Sequence, residues 1–85
     1  MDAAQRLDDV FELARRLEVE VRAERLGGDS GGLCVLRGRR VLFVDLDADP
    51  LVRLDRCVEA MRSLPGIEGV YVPPALRELF DSAQE

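Results

Sequence analysis

The chain has no histidine, no lysine and no tryptophan. Without histidine it lacks the side chain that most often moves protons at neutral pH, and with it HExxH zinc chemistry and zinc-finger sites of two cysteines and two histidines. Without lysine, a Ser-Lys arrangement is excluded, and all twelve basic residues are arginine. Cysteine occurs twice, at Cys34 and Cys57, with no CxxC spacing. Two thiols cannot complete a four-cysteine site in one chain. In a cytosolic protein both are expected as buried free thiols rather than a disulfide. No apolar run approaches the ~18 residues of a membrane span. The opening MDAAQRLDDV is acidic and has no apolar signal core, which makes the cytoplasm the expected location.

What is present describes one small domain, residues 1–85. A chain of this length buries roughly 60–65% of its unfolded surface, so its core is marginal without close packing or a partner chain. The apolar fraction is 47% and the charged fraction 34%, the balance of a folded globular protein. A net charge of −5 disfavours general binding to nucleic acid or anionic membranes. One basic cluster, Arg37, Arg39 and Arg40 around Gly38, reads as a solvated turn, with a phosphate-contacting patch as the alternative.

Residues 4–17 place Leu7, Val10, Phe11, Ala14 and Leu17 at helical spacing, with Asp2 as N-cap. Residues 18–25, EVEVRAER, switch to a period of two and read as a half-buried strand. Extension of the first helix is the competing reading, because no Gly or Pro intervenes. GGDSGG follows as a loop. LCVLR (33–37) and RVLFVDL (40–46) form a hairpin around a tight turn at Gly38. Both runs are apolar on both faces, which predicts central strands covered on two sides, by helices or by a second chain. Asp49 caps a helix running from Pro50 to about Ser63, with Leu51, Leu54, Cys57, Val58 and Met61 as its buried stripe. A fourth strand is expected at Val70–Val72. A last helix from Pro74 carries Leu76, Leu79 and Phe80. The fold class is α+β, with a small, mostly antiparallel sheet of three to four strands in the order α-β-β-β-α-β-α.

GGDSGG contains the Gly-Asp-Ser-Gly-Gly that surrounds the nucleophile of trypsin-like serine proteases. A serine needs a base to become a nucleophile, and the chain has neither His nor Lys to serve. Ser30 is therefore expected to be part of a connector. DLDAD offers Asp45, Asp47 and Asp49 at a strand end. Asp45 and Asp47 share one face, a pattern able to hold Mg²⁺ or Ca²⁺. The simpler expectation makes Asp49 a cap and Asp45 and Asp47 solvated, neutralised by an arginine such as Arg22 or Arg53. No cofactor is expected.

The run GGLCVLRGRRVLFVD and the helix after it resemble the hairpin and active-site helix of ImmA/IrrE-type zincin-like metallopeptidases. The resemblance places that family's HExxH on VEAMR, residues 58–62. Glu59 then matches the general base, while Val58 and Arg62 stand in place of the zinc-binding histidines. It implies a zincin-like scaffold without catalysis.

Tyr71, Leu76, Leu79 and Phe80 form a candidate interaction surface near the C-terminus, the alternative being a closing helix on its own core. The reading that joins these features is a non-enzymatic interaction or scaffold domain. Its expected partner is itself, as a homodimer or higher oligomer, with another protein as a further possibility. The alternative is a small divalent-metal domain or enzyme using Asp45 and Asp47.

Overall fold

The structure, a computed structural model, describes residues 3–28 and 30–82. The elements are α1 (Ala3–Arg16), β1 (Glu20–Glu24), β2 (Gly32–Leu36), β3 (Arg39–Asp45), α2 (Pro50–Arg62), a single 3-10 turn (Ile67–Gly69) and α3 (Pro74–Ser82). The class is α+β, three helices with one sheet.

The sheet departs from the expected antiparallel pattern. Its order is β1-β3-β2, with β1 parallel to β3 and β2 antiparallel to β3. The reason lies in the strand compositions. RRVLFVD, at seven residues the longest strand of the three, takes the centre. EVRAE, with a charge at every second position, suits an edge. The chain must therefore cross from β1 over the end of β3 to reach β2. Among the described residues no fourth strand forms at Val70–Val72. Ile67–Gly69 wind into the 3-10 turn and Val70 is extended outside the sheet (φ −96°, ψ 137°). Pro73 and Pro74 follow, without the N–H groups a ladder needs.

A helix end resolves the ambiguity over residues 18–25. Glu18 adopts a left-handed conformation, φ 61°. Val19 N–H donates to the Ala14 carbonyl (2.9 Å) and Glu18 N–H to that of Arg15 (3.0 Å). This is a Schellman stop with glutamate where glycine is usual. An L-residue there costs about 1 kcal/mol. Glu18→Gly is therefore expected to stabilise the fold by about 0.5–1 kcal/mol, read as a higher urea midpoint at unchanged slope. A lower midpoint would mean that the Glu18 side chain contributes more than its backbone strain costs.

The core lies between the helices and one face of the sheet. Leu7, Val10, Leu13 and Ala14 of α1 meet Leu54, Cys57, Val58, Ala60 and Met61 of α2, together with Leu42 and Val44 of β3. Leu76 and Phe80 of α3 close the cluster. Leu13 belongs to it although the helical stripe read from sequence omitted it. Leu51 was expected in it but is 69% exposed. Arg6 ties α1 to α3 by donating to the Ala75 carbonyl.

By strand alternation, Val41 and Phe43 point to the other face, with Cys34 and Leu36 beside them. On that face Cys34 and Leu36 are exposed, Phe43 is half-buried and Val41 is buried at 1% exposure, outside the helix-side core cluster. The two-sided cover expected from the apolar runs is thus complete over Val41 of β3 but missing over β2. β2 is an edge strand rather than a central one. Cys34 is an exposed thiol, not the buried one expected; Cys57 is buried.

Candidate functional site

The crossing from β1 to β2 spans about two strand spacings, roughly 10 Å, over the C-terminal end of β3. Among its described residues the backbone N–H groups have no ladder partners there. Asp45, the last residue of β3, supplies the acceptors. Its Oδ1 accepts from Leu26 N–H (2.9 Å) and Asp47 N–H (2.9 Å), and its Oδ2 from Gly28 N–H (2.7 Å) and Ser30 N–H (3.1 Å). The residue is 2% exposed. Burial pushes its carboxyl pKa up, but the four backbone donors outweigh that and hold it below the ordinary aspartate value. Gly31 is required by the same crossing. Its φ is 118°, and a Cβ there would lie 3.1 Å from the Phe43 carbonyl oxygen.

The neighbouring acids support this arrangement. Asp47 Oδ2 accepts from Gly27 N–H (3.0 Å), and its Oδ1 pairs with Arg25 (2.9 Å). Arg53, on α2, was an expected neutralising partner for Asp45 or Asp47. It instead donates to the carbonyls of Asp45 (3.2 Å), Leu46 (3.1 Å) and Ala48 (2.9 Å), closing the β3–α2 turn. Arg22, the other expected partner, pairs with Glu20 at 2.5 Å. Asp49 sits at the N-cap position of α2, but its side chain makes no capping hydrogen bond.

The strand-end DLDAD thus organises the glycine loop. A cation at Asp45 would have to displace four N–H dipoles whose positive ends already point at the carboxylate. Among the described residues no group of three or more His, Cys, Asp or Glu side chains is placed to hold an ion. Two of the three carboxylates of the sequence-based metal alternative, those of Asp45 and Asp47, are thus engaged by the glycine loop. Ser30 is exposed, and its backbone belongs to the Asp45 cradle. In the VEAMR segment Val58 is in the core, Glu59 is exposed and Arg62 is half-buried.

The hairpin tip is a two-residue turn with both central residues at positive φ, Arg37 at 53° and Gly38 at 80°, the geometry that matches strand twist. A cleft of about 720 Å³ opens between it and the end of α1, where Arg15, Arg39 and Arg40 alternate with Glu18 and Glu20. The mixed charge is a poor match for a phosphate group.

The expected interaction residues divide. Leu76 is fully buried and Phe80 nearly so, both in the chain's own core, while Leu79 is half-buried and Tyr71 is 71% exposed. A surface that sequence reasoning missed lies at β2. Val35 is 64% and Leu36 43% exposed, next to the exposed Cys34. The available signal was the contrast between the charged alternation of β1 and the uncharged GLCVL of β2. No family model, curated protein or solved structure matches the chain.

Proposed function

We propose that this chain is a small interaction domain that works by binding, and that its first partner is a second copy of itself. The observation that carries this reading is the uncharged β2 edge of the sheet, where Cys34, Val35 and Leu36 are all exposed. A domain this small gains proportionally more from covering such a surface than a large one does. The chain's lack of His and Lys and the use of Asp45 as a loop anchor favour binding over catalysis.

Sedimentation equilibrium of the reduced protein tests the reading. The mass is expected to rise from the monomer's 9.5 kDa toward twice that value as concentration climbs into the range of roughly 10–100 µM, typical of modest interfaces. A mass fixed at the monomer value up to millimolar protein would overturn it.

A further inference from the structure

We propose that two copies join edge to edge through β2, antiparallel and with the two-fold axis at Cys34, to make one continuous six-stranded sheet. The proposal rests on the self-association reading and names its surface and register.

The two edges of the sheet are built differently. β1 carries Glu20, Arg22 and Glu24, the charges by which edge strands resist pairing. β2, Gly32–Leu36, has no charge and no proline, pairs with β3 in unbroken register, and leaves its last three residues exposed. It is a strand that accepts another strand.

The register follows from the hairpin. The two-residue turn makes Leu36 and Arg39 a hydrogen-bonded pair, and pairs alternate from there. Cys34 therefore turns its backbone groups toward Val41, while Leu33 and Val35 turn theirs outward, away from β3. An antiparallel copy centred on Cys34 sets Leu33 against the partner's Val35 and Val35 against the partner's Leu33. Each pair exchanges both N–H···O bonds. Cys34 then faces the same residue of the other copy in a non-hydrogen-bonded pair, with Cα atoms about 4.5 Å apart.

Charge selects the antiparallel direction. Arg37, Arg39 and Arg40 lie at the turn end of the hairpin, with Glu18 and Glu20 at the same end but on the β1 side, away from the β2 edge. Glu24, Asp45, Asp47 and Asp49 lie at the opposite end of the sheet, with Arg25 and Arg53 among them. Antiparallel pairing brings the basic end of each copy alongside the acidic end of the other. Parallel pairing would set three arginines beside three arginines.

The test is register-specific crosslinking. Diamide takes two electrons and two protons from a thiol pair that can reach disulfide geometry, Cα atoms about 4.4–6.8 Å apart. The wild type and Cys57→Ser are expected to give a covalent dimer on a non-reducing gel. A Cys34→Ser, Leu36→Cys variant is expected to crosslink at least about tenfold more slowly. Leu36 is also exposed, but in this register the two positions 36 lie about 13 Å apart. Equal rates would reveal collisional chemistry and overturn the proposal. Val35→Pro supplies the second readout. It removes an outward N–H that the hairpin does not use, so circular dichroism should show an intact fold while the dimer dissociation constant rises about tenfold or more. If the wild type sediments as a dimer but neither crosslinks at Cys34 nor weakens on Val35→Pro, the β2 register is wrong and self-association stands. If it sediments as a monomer throughout, both fall. Should Val35→Pro fail to fold, the comparison of positions 34 and 36 decides alone.

Discussion

Asp45→Asn is expected to lower the melting temperature by about 10 °C or more at pH 7, a large loss for a domain of this size. The substitution is nearly isosteric, so the effect tests hydrogen bonding rather than volume. Each Asp45 oxygen accepts two backbone N–H groups. An amide keeps one oxygen and turns an NH2 group toward two N–H donors that can no longer be satisfied. The damage spreads because the loop is the only covalent path from β1 to β2, and the Asp45 carboxylate is what holds its backbone in place. The pH dependence gives an independent check. The folded pKa of Asp45 lies below its ordinary value. Its contribution is therefore fully present above the unfolded aspartate pKa of about 3.9, and is lost as pH falls through the lower folded pKa. The gap in melting temperature between wild type and Asp45→Asn should be widest near neutrality and should close in acid. A gap that is small at pH 7, or that stays constant down to pH 3, would show that the loop is held by something other than this carboxylate. Cys57 offers no comparable switch, since burial pushes its thiol to about 11, partly offset by Arg53.

The same residue shows what a sequence can and cannot display. The local elements were legible, because α1, β1, the hairpin and α2 each carry their own periodicity, although the α1–β1 boundary at Glu18 has no Gly or Pro to mark it. The pairing of β1 with β3 was not, because β2 and β3 have apolar runs of equal length and neither displays locally that it is the central strand. Once β3 sits between β1 and β2, a glycine loop must pass over its end, and an aspartate there becomes a backbone acceptor. Read in one dimension, DLDAD is a pair of carboxylates in need of a counter-charge. In the fold, Asp45 meets amides that lie 15 to 19 residues away in sequence. The exposed edge was hidden for a similar reason. GLCVL looks like the interior of a sheet, and only the strand order makes it a border.

Leu76→Ala is expected to remove about 2–5 kcal/mol of stability, out of a total of roughly 4–13 kcal/mol for a chain of this length. The variant should therefore be partly or wholly unfolded at 37 °C. Leu76 is among the largest fully buried side chains, although it lies on the last helix. That helix is started by two backbone bonds to one carbonyl, Leu76 N–H and Arg77 N–H to Pro73 O at 2.9 and 3.0 Å. Its first turn thus presents Leu76 to the core shared with α1 and α2, and Phe80 follows one turn later into the same core. Tyr71, three residues before the helix, points to solvent at 71% exposure. Tyr71→Ser should therefore stay within about 0.5 kcal/mol of wild type. Urea midpoints of the two variants decide between the roles considered for this segment. A large loss for Leu76→Ala with none for Tyr71→Ser makes α3 a closing element of the monomer, and leaves self-association to the sheet. If instead Leu76→Ala keeps its midpoint and only the dimer is lost, α3 is the interface and the β2 edge is not.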